Sequence, residues 1–461
     1  MNKALIIIFL TFTLNFIGQE CDCFKNISLL QQKIEDNQAS YQHQVIEKNQ
    51  LKEYLLFKND VNKKAKTLRT KRECIGLIAV YLNFFRDEHS SISYNENYSP
   101  DENRLVISKT KKVKGNKTKL AGLWYFQDGS FSVNITNEKT ALGEWIALMQ
   151  SDKSSKWENG QVKIEFFKAK NGALKCIYWR QNLVPKVYDV SISDSSLHIG
   201  RSFVFYRKQP TDTKPANNID NNFVFSSLSK ETNYLKLPSF DLSNINKIDS
   251  LITANKKAIL SKNNLIIDLR NNGGGGFDAF KPVLPFVMDN SVVEPPYYGS
   301  VWVSKDNFNY YDSSKYGYAE TKQDSINELN YVTFLKEHLG KFTPIEKEVD
   351  TLVLSGKFPA RVALIFNRYS ASTAEGFILQ SKYSKKVKTF GENSAGAVSY
   401  GDWMPFELPE LNSWVAITTK KSIFKHNEDF ESIGISPDVD LKNSEESNWI
   451  EIVVKELEKQ H

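Results

Sequence analysis

Two stretches of this chain place residues that can do chemistry at spacings that chemistry uses. The first is "RYSASTAEGF", Arg368 to Phe377. The preceding "ARVALIFN" has the continuous apolar character of a buried strand. "STAEGFILQ" has apolar residues at helical spacing, so Ser372 falls where a strand gives way to a helix. A hydroxyl at that junction lies beside free backbone N–H groups and the positive end of the helix dipole, which favour developing negative charge. Ser372 and Glu375 also spell Ser-x-x-Glu, the signature of a capping box, so the serine reads either as a helix cap or as a nucleophile.

The second stretch is "LIIDLRNNGGGGF", in which a buried-type strand runs into Asn271, Asn272 and the glycines Gly273 to Gly276. Consecutive glycines let backbone N–H groups face a ligand with no Cβ in the way, which makes an anion nest. The Gly-Lys-Ser/Thr element of a phosphate loop and the G-x-G-x-x-G helix pattern are both missing. An oxyanion hole fits better, with N–H donors from Thr373 and a glycine of 273–275, assigned to Gly274, provided a nucleophile faces them.

The elements that must position these stretches fall into distinct zones. A chain of 461 residues exceeds the roughly 250–300 at which single cores stop growing, so two or three domains are expected. Residues 25–95 read as helix, with "LLQQKIEDNQASYQHQVIEKNQLKEYLLFKND" carrying apolar residues at three- and four-residue steps and no Gly or Pro. From 96 to 215, short runs such as "GLWYFQDGSFSVNIT" and "ALKCIYWRQ" alternate with Asp-Gly and Asn-Gly turns, which predicts an antiparallel β domain, barrel or sandwich. Residues 208–222 form a polar, Pro-containing linker. Beyond it, strands that are apolar on both faces alternate with helices, the pattern of an α/β layered domain over 216–461. The Tyr-rich "PPYYGSVWVSKDNFNYYD" reads as an inserted loop.

Composition narrows the function. A net charge of +6 is spread over 60 basic and 54 acidic residues with no block of five like charges, which gives no phosphate-binding surface and excludes nucleic acid as the expected partner. "MNKALIIIFLTFTLNFIGQE" has one Lys ahead of a short apolar run and a small residue at Gly18, so residues 1–18 read as a secretory signal peptide, with an uncleaved anchor as the alternative. The segment is too short to span a bilayer, so no stable membrane insertion is expected after cleavage. Export makes Cys21, Cys23, Cys74 and Cys176 candidates for disulfides, with Cys21 or Cys23 to Cys74 as the open possibilities. No CxxC or HxxxH spacing marks a zinc site, and no metal or cofactor is called for.

Together, "DLRNNGGG", the later N-x-x-Ser-Ala-Ser-x-x-Glu and the following Gly-Glu-x-x-x-Gly resemble the catalytic core of the carboxy-terminal processing (tail-specific) and tricorn-type serine peptidases. The resemblance covers about 225–445 and a short segment near His89. It implies a ClpP/crotonase-like α/β core, which joins the N-terminal helical cap (19–95) and the middle antiparallel β domain (96–215) that the residue patterns give. It also implies that Ser372, the second Ser of Ser-Ala-Ser, is the nucleophile. Processing-type members use a lysine twenty-five residues beyond the nucleophile; here that position is Ala397. Lys382, Lys385, Lys386 and Lys388 come too early and read as solvated charges.

Tricorn-type members instead take the base from a distant histidine, which maps to His89 in "YLNFFRDEHSSISY". His43, His198, His338, His426 and His461 lie in no such context. Glu431 of "ESIGISPD" matches the carboxylate that orients the base. Two features depart from the family. Glu88 stands where a linking Ser can precede the His, and residues 96–215 lack the carboxylate-binding loop of the PDZ module many relatives carry. The expectation is a secreted or periplasmic serine endopeptidase acting on peptide or protein substrates. The alternatives are a catalytically silent member that binds a peptide or apolar ligand, and a barrel carrier with its site in 96–215.

Overall fold

The computed structural model describes residues 21–107, 118–210, 221–314, 322–345, 349–425 and 428–459. The leader reading of residues 1–18, and His426 and His461, lie outside them.

The C-terminal half is organised by a six-stranded sheet in the order Val224–Ser227, Thr232–Lys236, Asn264–Asp268, Arg361–Phe366, Val387–Gly391, Val439–Asp440. The first pair is antiparallel and every other pair parallel. Parallel strands covered on both faces must be apolar on both, and Leu265 to Ile267 and Val362 to Phe366 are all buried. On one face they pack against Ile248, Ile252 and Ile259 of the helix Ile245–Ile259 and against Phe377 and Ile378 of the helix Thr373–Ser381. On the other they meet Trp449, Val453 and Leu457 of the helix Trp449–Glu458. Asn264–Asp268 and Arg361–Phe366 are neighbours, so the glycine run and Ser372 emerge side by side at their carboxyl ends, where open α/β sheets bind ligands.

A second, antiparallel sheet runs Ile92–Tyr94, Ser413–Phe424, Tyr297–Trp302, Phe342–Pro344, with Tyr400–Leu408 also paired to Ser413–Phe424. Two sequence readings change here. The Tyr-rich stretch read as a loop is the strand Tyr297–Trp302 followed by the helix Lys305–Ser314. Its strand partner lies more than a hundred residues away, at Tyr297↔Phe424, so local sequence does not reveal it. The helical reading of 25–95 also runs too far. Helix gives out at Phe85, Arg86 turns the chain with a φ of 49°, and residues 92–94 form a strand on the core.

The N-terminal helices Cys23–Asn37, Leu51–Ala65 and Lys71–Leu82 share a core with Met404, Leu408, Val415 and Ile417 of the second sheet. Thr70 and Glu73 form a capping box at the start of the last of them. A disulfide joins Cys23 to Cys74, one of the two pairings left open, while Cys21 and Cys176 are buried free thiols.

Between helices and core in chain order comes a closed antiparallel barrel of eight strands, from Gly122–Phe126 to Phe203–Tyr206, sealed by Tyr125↔Tyr206 and Phe126↔Phe205. Trp124, Val133, Ile135, Ile164, Phe166 and Phe205 fill it, so its aromatics are core rather than a ligand lining. Trp179, Val184 and Val187 pack against the N-terminal helices.

Candidate active site

Ser372 has φ 55° and ψ −120°. A positive φ is uncommon for a side chain with a Cβ and persists only where neighbours over-determine it, a form of strain typical of exposed nucleophiles at strand-to-helix turns. The neighbours are on view. Ala371 N donates to Asn272 O at 2.9 Å, Ser370 Oγ donates to Leu269 O at 2.7 Å, and Ala395 N donates to Ser370 O at 2.8 Å. Asn367, at the end of the preceding strand, accepts from Asn271 N at 3.0 Å and so ties the two loops together. Ser372 is the N-cap residue of the helix Thr373–Ser381. Its Oγ lies 3.3 Å from His89 Nε2.

Glu375 supplies the other half of the expected capping box and more. It is fully buried, and all of its partners are donors: Ser394 Oγ at 2.6 Å, Gly396 N at 2.7 Å, Ala397 N at 2.8 Å and Ser372 N at 3.0 Å. Burial raises its pKa, against the pull of these donors. Ser372 is thus held by the carboxylate that also holds the 394–397 loop. Ala397, where a dyad lysine would stand, occupies that loop as one of the donors.

The other lysines are committed elsewhere. Lys382 pairs with Asp438 at 2.6 Å, Lys388 pairs with Glu456 at 3.0 Å, and Lys386 donates to Phe286 O at 3.0 Å. Lys385 contributes a backbone N–H to Asp289 at 3.0 Å. None of them is hydrogen-bonded to Ser372 among the described residues.

His89 sits on the loop between the last N-terminal helix and the strand Ile92–Tyr94. That strand pairs at Ile92↔Val415, and Ala416 N donates to Ser91 O at 2.8 Å, which carries His89 onto the core. The loop is built around Asp87, a residue the sequence reading gave no role. Its Oδ1 accepts from His89 N at 3.1 Å and Ser90 N at 3.2 Å; its Oδ2 accepts from Ser90 Oγ at 2.8 Å, Thr418 Oγ1 at 2.6 Å and Gln38 Nε2 at 3.2 Å. The signal was present in Asp87-Glu-His-Ser90, since an Asp ahead of a Ser is the composition of an Asx turn. Burial lowers the imidazole pKa, against the nearby Asp87, Glu88 and Asp402 carboxylates.

Glu431 is fully buried beneath this loop, but its partners are backbone groups: Glu88 N at 2.8 Å on Oε1 and Ser399 N at 2.9 Å on Oε2. His89 Nδ1 is buried with no hydrogen-bond partner among the described residues. The structure therefore brings Glu431 to the residue before His89 and shows no bond from it to the ring. Burial and the Asp87 carboxylate push the Glu431 pKa well above the carboxylate range, against its two N–H donors. Glu88 itself turns away to Lys186, at 2.5 Å, and accepts from Ser432 Oγ at 3.1 Å.

The glycine loop lies against Ser372. A Cβ on Gly274, where φ is 95°, would stand 2.8 Å from Ala371 O, Ser372 Cβ and Thr373 N alike. The Gly274 N–H, however, donates to Asn272 Oδ1 at 2.9 Å. Gly274 O and Gly276 N pair with Phe240, at 3.1 and 2.9 Å, so the N–H and C=O of Gly275 face the opposite way. There the Gly275 carbonyl accepts from Thr373 Oγ1 at 2.8 Å. The N–H groups of Gly275 and Thr373 have no hydrogen-bond partner among the described residues.

Residues 231–441 match the model of Peptidase family S41. That segment is a domain of the tail-specific and tricorn-type peptidases, which makes the protein a serine-type peptidase, a hydrolase. Among solved structures it resembles mature CPAF complexed with lactacystin, with a TM-score of 0.51 and 12% identity over 91% of this chain and 93% of that one. It also matches the photosystem II D1 C-terminal processing protease, with a TM-score of 0.40 and 13% identity over 92% and 93% of the two chains. No curated protein matches the sequence.

Proposed function

We propose that this chain is an exported endopeptidase that hydrolyses peptide bonds through an acyl-enzyme, with Ser372, His89 and Glu431 as its triad. Ser372 Oγ attacks the scissile carbonyl while His89 Nε2 takes its proton, and His89 then returns that proton to the leaving amine. Water attacks the resulting ester by the same route. The observation that carries this reading is the 3.3 Å approach of His89 Nε2 to Ser372 Oγ, between residues 283 apart in sequence.

Glu431 acts first through the backbone, by holding the N–H of Glu88 and so the loop that presents His89. The Asp87 carboxylate, which accepts from the His89 backbone N–H, favours the imidazolium formed during attack. The oxyanion is received by Thr373 N–H together with the glycine loop. Because Asn272 occupies the Gly274 N–H, the neighbouring Gly275 N–H is the better-placed partner for Thr373.

Export is supported by the leader-like composition of residues 1–18 and by the Cys23–Cys74 disulfide, since disulfides persist in oxidising compartments. No helix among the described residues is long and apolar enough to cross a membrane. A fluorophosphonate probe tests the chemistry: it is expected to label the folded protein, to lose all labelling in Ser372→Ala, and to label His89→Ala at least about a hundredfold more slowly. Folded wild type that resists the probe overturns the proposal.

A further inference from the structure

A cavity of about 780 Å³ opens where the N-terminal helices, the barrel and the core meet. Glu88 and Ser90 line it, while His89 and Ser372 do not, so it lies on the far side of the loop that presents the base. Its volume suits a drug-sized organic molecule.

The charge of its walls is unbalanced. Six basic side chains face three acidic ones: Lys175 pairs with Asp189 at 2.9 Å, Lys186 with Glu88 at 2.5 Å, Arg86 with Asp429 at 3.8 Å and Arg368 with Glu392 at 2.5 Å, and Asp87 is taken by the donors of its own loop, which leaves Arg180 and Arg201. Arg201, on a barrel turn, makes no ion pair among the described residues; its Nη1 donates to Ile433 O at 2.7 Å and its Nη2 to Ala395 O. Arg180 is exposed and has no side-chain partner among the described residues. Val184 and Val187, each 5% exposed, give the same wall an apolar patch.

We propose that this cavity is an effector site for a small organic anion, with its carboxylate or phosphate group at Arg180, Arg201 and Lys186 and its apolar body against Val184 and Val187. The site reaches the catalytic centre through one ion pair. An anion that engages Lys186 competes with Glu88, and Glu88 is covalently next to His89 and bound through its N–H to Glu431. Arg201 provides a second link, because the carbonyls it holds belong to the 394–397 and 431–434 loops that carry the donors to Glu375 and the Glu431 side chain.

Isothermal titration of the full chain with phenylacetate, phenyl phosphate and the neutral phenylacetamide tests the site, and the tighter of the two anions identifies the head group. Both anions are expected to bind saturably, phenylacetamide at least about tenfold more weakly, and Arg180→Glu and Lys186→Gln to weaken the anions by about tenfold each. Arg180 is exposed, so its variant keeps the test valid should Lys186→Gln disturb the fold. Equal binding of the amide, unchanged affinity in Arg180→Glu, or no saturable anion binding overturns the site. The coupling is read from the His89 imidazole NMR signal, identified by its loss in His89→Ala. It is expected to shift on saturation, and a signal that stays put while the anion binds overturns the link to His89. Neither readout requires peptidase turnover.

Discussion

Replacing Glu375 by Gln tests whether a buried carboxylate is what holds Ser372 in its strained turn. The carboxylate accepts from Ser394 Oγ and Gly396 N on one oxygen and from Ser372 N and Ala397 N on the other. An amide must point its NH2 at one of these pairs. Two backbone N–H groups cannot turn away, whereas the Ser394 hydroxyl can rotate and accept, so the NH2 takes the Ser394 side. That leaves Gly396 N as one orphaned buried donor, at about 1–3 kcal/mol, and makes the remaining bonds neutral ones worth roughly half a charge-assisted bond.

The raised pKa of Glu375 shows that burying its charge is itself unfavourable, and the amide recovers part of that cost. The net expectation is a loss of about 2–3 kcal/mol in urea unfolding. Because the amide oxygen still meets Ser372 N, fluorophosphonate labelling should slow by no more than about tenfold. Glu375→Ala orphans all four donors, so it should cost about 4 kcal/mol or more and label far more slowly. If Glu375→Gln unfolds within about 0.5 kcal/mol of wild type, or Glu375→Ala labels at the wild-type rate, the carboxylate does not hold the turn.

Three further outcomes follow from the same geometry. Gly274→Ala puts a Cβ 2.8 Å from Ala371 O, Ser372 Cβ and Thr373 N at a φ of 95°, so probe labelling should fall by about a hundredfold; labelling near the wild-type rate would show that the loop has room. In the proposed mechanism His89 must be neutral to accept the proton, and burial lowers its pKa from the usual 6.5, so the neutral form survives into more acidic solution. The acid limb of the labelling rate against pH should therefore have its midpoint below 6.5, and a midpoint above it contradicts the burial argument. Reducing Cys23–Cys74, which spans 51 residues, should destabilise the helical region by about 4 kcal/mol on chain-entropy grounds, measurable as the difference in urea unfolding with and without dithiothreitol.

The parts legible in the sequence are those whose signal is local. The doubly apolar strands and the strand-to-helix placement of Ser372 follow from patterns within a dozen or so residues of each other, and the missing lysine at Ala397 from a 25-residue spacing that the family resemblance supplies. The barrel was legible as antiparallel alternation, although its closure depends on Tyr125 meeting Tyr206. What stayed hidden depends on a distant partner. Tyr297–Trp302 is a strand because of Phe424, and Ile92–Tyr94 because of Val415, so the local pattern alone resembles a loop in one and helix in the other. The same holds in the site. Glu375 was visible as a cap, but its bonds to Gly396 and Ala397 were not, and the Asn272 bond that occupies the Gly274 N–H depends on a side-chain rotamer that no spacing encodes.

The strand Ile92–Tyr94 also sets a schedule. It can dock only against Ser413–Phe424, and Glu431 lies later still. A chain made only as far as residue 411 has its serine but no platform to bring His89 to it. The proposed active site therefore comes together only once the chain as far as Glu431 has been synthesised and folded, so a nascent enzyme stays inert up to that point.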